Sequence, residues 1–481
     1  MKNLRWYDYI TLNLFWLGLN IRNTALGSIF MPYLVGLFAP EAIKNSALGG
    51  MRSAGLIIAM LVQPAAGLLS DRSTSRFGRR RPYILVGALL DLVFLTVIAL
   101  SQDYWTLLIG VLLIQFSSNI SHGPLQALIP DLVPEDQRGR ASAVKSLLEL
   151  LPLVLVGLTI AKLVGAGMLG WAFFATGASL LVVAIITVLT VKEEPLTEKP
   201  TAPFWPPMLR VLGMLTGIVI GALAGLVAGG LIGGLAGLIA LPFADKSTAL
   251  AVGVGVGGAV AMIGAVIAGV WAGTLATLGQ DARRQSSFTW WIVNRLMFLA
   301  AATSIQGSVL YFVKFAFDLS DEAAASLTGT LTSVIGVFIL ISALASGWVA
   351  DRVGHRRLVG ISGLVAAFGG FLLLGTVWIP NLPLVYVAGT FIGVATGLFM
   401  TSNWALGTDL VPAAEAGRYL GISNLAGAGA GIVGAGIGGL VADYLNGIYP
   451  GLGYFSIYAS YAVLFALSAV SLIGVRKNKA D

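Results

Sequence analysis

Some charged residues stand inside otherwise apolar runs, and their types and spacing bear on chemistry. Arg22 lies about 14 residues into the first run, or ~21 Å at 1.5 Å per residue. That depth is near the middle of a bilayer, where a charge is costly and faces a cavity or a partner. Glu149 lies about eight residues into a later run, ~12 Å from the same side, with Lys145 one turn before it on the same face. The spacing allows Glu149 to pair with Lys145 or with Arg22. A carboxylate so placed takes up a proton, and an arginine beside it tunes that proton or binds an anionic or hydroxyl group. Asp91 and Lys162 read as snorkelling or interface residues, and Arg295 as an interfacial anchor.

Neutral polar groups accompany these charges: Asn20, Asn23, Gln115, Asn119 and His122 early, and Asn294, Gln306 and Asn403 beside Trp404 late. Amides next to an aromatic ring suit a sugar-type ligand. A histidine ordinarily titrates near physiological pH, so His122 is a candidate proton carrier, yet its place close to the end of its run fits helix packing as well. The two histidines and the absence of cysteine leave no metal-spaced cluster, and no phosphate loop or nucleophile elbow stands in a suitable setting. No catalytic residue, metal or cofactor is expected, and ATP-driven transport on this chain is not.

The elements that must position these residues follow from composition. Of 481 residues, 57% are hydrophobic and 11% charged, against roughly 25% charged in soluble domains. A soluble enzyme, a nucleic-acid partner and a disordered chain are disfavoured. The net charge of +7 fits a positive-inside bias. The apolar runs are continuous rather than alternating, which excludes a porin-type barrel. The reading is an all-α polytopic membrane protein whose N-terminus opens a first span rather than a cleaved signal peptide.

Candidate spans lie at 8–38, 46–70, 83–101, 104–130, 141–164 and 167–191, then 208–242 and 248–279, then 288–317, 323–350, 358–378, 382–408, 416–443 and 452–475. The sets of six are copies. Gly67, Asp71 and Arg72 recur as Gly347, Asp351 and Arg352 at an offset of 280. Ala127-Leu128-Ile129-Pro130-Asp131-Leu132-Val133-Pro134 and Arg140 recur as Ala405-Leu406-Gly407-Thr408-Asp409-Leu410-Val411-Pro412 and Arg418 at 278. The expected domains are a six-helix bundle over 1–192, an inserted pair over 193–287 and a second bundle over 288–481. This is a parallel repeat of the major facilitator kind, fourteen spans in all, with a solute site near the midplane. Lys and Arg crowd one set of loops, so both termini are expected on the cytoplasmic side of a cell membrane. In the inserted pair Gly213, Gly217, Gly221, Gly225, Gly229, Gly233 and Gly237 recur every four residues. They form a stripe open to another helix: a dimer seam, a special solute path, or a hairpin packing on itself.

The string Ser70-Asp71-Arg72-Ser73-Thr74-Ser75-Arg76-Phe77-Gly78-Arg79-Arg80-Arg81-Pro82, following Val62-Gln63-Pro64 and Gly67, closely resembles the span-two-to-three signature of sucrose-type proton symporters. These belong to the glycoside–pentoside–hexuronide:cation group of the major facilitator superfamily. Asn119, Gly123-Pro124 and Ala127 resemble that group's span-four pattern. The resemblance is strong over about 60–140. Two departures stand out: the inserted pair, and Gln115 where the group carries a proton-linked aspartate. Glutamine cannot titrate, so the coupling residue has moved or the ion or solute differs.

The resemblance implies that spans one, four, seven and ten line a cavity, making Asn23, Gln115, Asn119, Gln306 and Asn403 solute residues; Arg22 of span one and Lys145 and Glu149 of span five join them as solute or coupling residues on charge and depth. It implies a cytoplasmic gate of Gly67, Asp71, Arg72, Arg79, Arg80, Asp131, Arg140, Gly347, Asp351, Arg352, Arg356, Asp409 and Arg418. There the glycines allow close helix approach, arginines pair with Asp131, Glu135, Asp409 and Glu415, and Asp71 and Asp351 face helix starts near 416 and 141. The gate residues are duplicated, whereas Arg22, Lys145 and Glu149 become Ala302, Ser423 and Gly427 in the second copy. Rocking needs both copies, but recognition or coupling needs one. The expected function is alternating-access transport of a small polar solute with a proton or cation, in a lipid bilayer and without nucleic acid. An exporter of an anionic solute or drug and a non-transporting assembly factor are the alternatives.

Overall fold

The computed structural model describes residues 4–193, 205–411 and 416–475, with the backbone alone for 416–422 and 424–428. Its helices are α1 (Trp6–Thr24), α2 (Met31–Phe38), α3 (Lys44–Asp71), α4 (Arg81–Ala99), α5 (Tyr104–Leu132), α6 (Arg138–Leu158), α7 (Ile160–Gly165), α8 (Leu169–Thr190) and α9 (Trp205–Ala240). They continue with α10 (Lys246–Leu278), α11 (Asp281–Arg284), α12 (Ser286–Ala316), α13 (Asp321–Val353), α14 (His355–Leu374), α15 (Leu382–Asp409), α16 (Ala416–Ile448) and α17 (Leu452–Ser471). Helices satisfy their own backbone groups, which apolar surroundings cannot do. Loop acids start two of them: Asp103 accepts from Trp105 N and Thr106 N, and Asp245 from Ser247 N and Thr248 N.

Among the described residues, thirteen helices are long and apolar enough to cross a membrane. The first expected span is helical over Trp6–Phe38, but a π segment, Ala25–Phe30, divides it, and it is not among the thirteen. The expected span 141–164 also divides, at Thr159, into α6 and α7.

The chain forms two compact units. The first holds the chain to Phe38, Ile57–Leu209 and Ser320–Gly336; the second holds Ala39–Leu56, Arg210–Leu319 and the chain from Val337. The core of the first gathers Phe15, Trp16 and Leu19 of α1 with Ile84 and Ala88 of α4, Leu125 and Leu128 of α5, and Leu180 and Ala184 of α8. In the second, Phe298 of α12 stacks on Phe399 of α15 at 3.7 Å and meets Phe465 of α17 edge-on.

The helices α3, α9 and α13 begin in one unit and end in the other. The start of α3 is tied in the second unit by Asp443 of α16, which accepts from Asn45 N at 3.1 Å and Ser46 N at 2.7 Å. The start of α13 is tied in the first unit by Lys162, which donates to Ser326 Oγ at 3.1 Å and Thr330 Oγ1 at 2.8 Å. Lys162 is thus a helix-joining residue. The glycine stripe of α9 lies against α10. A Cβ on Gly217, Gly221, Gly225, Gly229 or Gly233 would strike Gly273, Gly269, Ala261, Gly257 or Gly253, and Gly213 and Gly237 meet Ala276 and Ala249. The stripe's partner is therefore the neighbouring helix of the same hairpin, whose other side rests on Val441 of α16 through Gly258.

Candidate functional site

The loop between α3 and α4 is organised by charge. Gly78 has φ +97°, and a Cβ there would meet Glu193 Cβ at 2.8 Å, so backbone and space both require glycine. Glu193 accepts from the backbone N–H groups of Arg80 and Arg81, each at 3.0 Å, at the start of α4. A carboxylate at that end is favoured by the helix dipole. The Arg80 side chain is buried, pairs with Asp71, and places Nε 3.0 Å from Asp131 Oδ2. Arg79 reaches Asp131 Oδ1 at 2.5 Å. Five charges therefore share one cluster, and the expected pairing of Arg79 and Arg80 with Asp131 is present.

The two gate glycines behave differently from expectation. A Cβ on Gly67 or Gly347 would meet nothing within 4 Å. The close approach of α3 and α5 depends instead on Gly123, whose Cβ would strike the Gln63 carbonyl and lie 2.9 Å from Gly67 N. Arg72 is half-buried and Arg140 exposed.

The repeat of this loop, between α13 and α14, is arranged otherwise. Arg352 lies 3.7 Å above the Trp348 ring, Arg356 donates to the Leu472 carbonyl at 2.8 Å, and Asp351 and Asp409 are exposed. Among the described residues no ion pair joins these four, so the expected pairing of Arg352 and Arg356 with Asp409 is not formed. Glu415 and the Arg418 side chain lie outside the described residues.

Within the first unit Arg22 is wholly buried, and its partner is Asp91 of α4, 1% exposed, at 2.9 Å. Glu149 does not fill that role, and Asp91 is not the snorkelling residue expected. Ser118 of α5 accepts from Arg22, and Ser117 donates to Asp91. Arg22 Nε and Nη1 have no hydrogen-bond partner among the described residues. Such a pair repays its desolvation only with good geometry and added hydrogen bonds; the two serines supply the latter.

Glu149 pairs with Lys145 one turn away at 3.2 Å, both about a third exposed at 30% and 28%. Lys145 also covers the Trp16 ring at 4.3 Å. His122 packs edge-on against Trp16 at 5.2 Å and lies 3.3 Å from Gln126, which fits its packing role. Asn119 is buried and donates to the Gln115 carbonyl at 2.7 Å, Gln115 is half-buried, and Asn23 is exposed.

In the second unit Arg295 is 9% exposed, not an interfacial anchor. Its Nη1 donates to Asn403 Oδ1 at 3.2 Å, and its guanidinium lies 5.3 Å from the Trp404 ring and 6.0 Å from that of Trp291. Asn403 donates in turn to Asn294 Oδ1 at 2.7 Å, and its carbonyl accepts from Trp291 Nε1 at 2.9 Å. Gln306, half-buried, shares the Arg295 face of α12 three turns on.

The family model described as Major Facilitator Superfamily matches residues 17–305 and 296–480. The chain belongs to that superfamily. It is accordingly an all-α, multi-pass membrane protein. Curated relatives include the sucrose transport protein SUT1 of Oryza sativa subsp. japonica, 34% identical over 139 residues, covering 24% of this chain and 25% of that protein. The sucrose transport protein SUC3 of Arabidopsis thaliana is 32% identical over 139 residues, covering 24% and 23%. The chain thus spans about a quarter of the length of these relatives. Among solved structures, a D-xylose-proton symporter superposes with TM-score 0.66 at 18% identity, over 99% of this chain and 100% of that one. The nucleoside transporter NupG gives 0.65 at 13%, over 96% and 99%. These likenesses show the major facilitator fold.

Sequence reasoning passed over Asp91, Glu193, Gly123 and Arg295 as functional residues. Signals existed for two. Asp91 is an acid in the middle of a span, and Glu193 is an acid just past one. Gly123 stands in the span-four pattern of the resembling group, but its part in helix contact is not readable there, and nothing in the sequence distinguishes the buried face of Arg295 from a lipid-facing one.

Proposed function

We propose that this protein is a secondary active transporter that moves a small polar solute, a sugar or glycoside, together with a proton by alternating access. It would sit in the cell membrane with both termini cytoplasmic, an orientation supported by the Lys and Arg excess in one set of loops. The relatives named above are transporters, and two of them are sucrose transport proteins.

The observation that carries the coupling is the Arg22–Asp91 pair. The span-four position that bears an aspartate in the resembling group is Gln115 here. Two residues on, Ser117 of the same helix hydrogen-bonds Asp91 of α4. The acid has moved from one helix to its neighbour, beside the same stretch of α5. Protonation of Asp91 removes the charge that Arg22 balances, and Arg22 returns the proton by favouring the ionised form. Lys145 and Glu149, about a third exposed beside Trp16, suit contact with solute hydroxyls better than a protected proton site.

The test is uptake of labelled sucrose into proteoliposomes with and without an imposed pH gradient. The gradient should drive accumulation. Asp91→Asn should abolish accumulation and leave exchange, while Glu149→Gln should lower affinity and leave accumulation. Accumulation that survives Asp91→Asn removes Asp91 from coupling.

A further inference from the structure

The inserted hairpin leaves a crevice on the flank of the second unit. It is a cavity of about 480 Å³ between α9 over 226–241, α10 over 246–261 and α16 over 437–441. All three helices are long and apolar enough to cross a membrane. Leu238 and Leu440, which help to line it, are 63% and 60% exposed. Exposed leucines on membrane-spanning helices face acyl chains, so the crevice opens toward lipid. Neither Arg22 nor Arg295 contributes to its lining.

The lining carries charge at one end only. Every lining residue is Gly, Ala, Val, Leu or Ile except Lys246. From Lys246 to Ala261 along α10 the rise is ~22 Å at 1.5 Å per residue. One leaflet is half of the ~30 Å hydrocarbon core, or ~15 Å. The crevice therefore has the length of one leaflet's acyl chain with a headgroup above it. Gly230 and Gly234 give it width: a Cβ on either would meet nothing within 4 Å, whereas one on Gly229 or Gly233 would strike α10. Glycine is a poor helix former, and at 230 and 234 no neighbouring helix requires it.

Lys246 is exposed and in no ion pair among the described residues. The acid beside it, Asp245, is committed to the start of α10, where it accepts from Ser247 N at 3.1 Å and Thr248 N at 3.4 Å. Phe243, 86% exposed, flanks the same end, as aromatic rings do at the headgroup level.

We propose that this crevice binds one anionic phospholipid, with an acyl chain along Gly230 and Gly234 and the phosphate held by Lys246. The site is independent of the transport reading, and two of its three walls come from the inserted pair. A lipid with a neutral head satisfies the slot alone, and a free phosphate ester satisfies the lysine alone.

The experiment is thermal unfolding of the whole purified protein in neutral detergent, titrated with dioleoylphosphatidylglycerol, dioleoylphosphatidylcholine or glycerol phosphate. Phosphatidylglycerol should raise the midpoint by roughly 2–5 °C, phosphatidylcholine by less than half of that, and glycerol phosphate not at all. Gly230→Leu with Gly234→Leu fills the slot and should erase the response to both lipids. Lys246→Gln, a change at an exposed position, should lower the phosphatidylglycerol response to the phosphatidylcholine level. Equal shifts with the two lipids in the wild type, a shift with glycerol phosphate as large as that with phosphatidylglycerol, or a full phosphatidylglycerol response in either variant would overturn the site.

Discussion

The two compact units carry copies of one loop motif, yet the described residues balance charge in different ways in each. In the first unit Arg22 has Asp91, Arg79 and Arg80 have Asp131, Arg80 also has Asp71, and Lys145 has Glu149. In the second, the cations of the site and of the repeated loop lean on neutral groups: Arg295 on Asn403 and Trp404, Arg352 on Trp348, Arg356 on a backbone carbonyl. Duplication kept the loop residues and their order but not their pairing. Among the described residues, the cations named in the first unit have acids within the fold, whereas those named in the second have neutral partners.

Removing one member of a pair is the most severe way to break that contrast. Asp91→Ala leaves Arg22 buried without a counter-charge and should destabilise by about 3–5 kcal/mol, read as a loss of thermal midpoint in detergent. The double variant Asp91→Leu with Arg22→Met should recover most of it. In the other unit, Arg295→Met removes a cation that has no acid to strand, and should cost little or nothing. A loss from Arg295→Met equal to that from Asp91→Ala would erase the distinction between the units.

Glycine substitutions sharpen the contrast next. Gly123→Ala drives a methyl into the Gln63 carbonyl and should cost about 1–3 kcal/mol. Gly67→Ala and Gly347→Ala, both facing open space, should stay within about 0.5 kcal/mol. The loop glycines divide in the same way. Gly78 and Gly354 both have positive φ, at +97° and +87°, but a Cβ meets Glu193 only at the first. Gly78→Ala should therefore unfold its loop more than Gly354→Ala does, as hydrogen exchange across 72–81 and 352–357 would report.

The smallest effect concerns two helix starts, one in each unit. Asp103 and Asp245 are exposed, and hydrogen bonds from Thr106 and from Ser247 and Thr248 lower their carboxyl pKa, to about 2 for Asp245. A lowered folded-state pKa stabilises fully above the unfolded value, about 3.9, and that contribution is lost as pH falls through the folded value. Exchange of the Ser247 and Thr248 amides should be pH-insensitive in protection above about 4 and should lose protection toward pH 2. Protection lost already near neutral pH would contradict the cap.

Much of the fold was legible because hydropathy and residue order are local properties. The apolar runs located the helices, and the duplicated Asp-Arg blocks revealed the repeat. The Lys145–Glu149 pair was legible for the same reason, since four residues on a helix are one turn. The Arg22 partner was not, because Asp91 lies on another helix, and only packing decides which acid faces which base. Arg295 was misjudged because its depth in α12 is readable from sequence while its face is not. The resembling motif pointed to Gly67 for helix contact, but the contact is made by the glycine across from it, Gly123.

The most direct test of the account is labelled-sucrose uptake under an inward proton gradient, wild type beside Asp91→Asn, with sucrose-for-sucrose exchange measured in the same vesicles. The account predicts gradient-driven accumulation in the wild type, none in the variant, and exchange in both. Accumulation in Asp91→Asn at the wild-type level would contradict it.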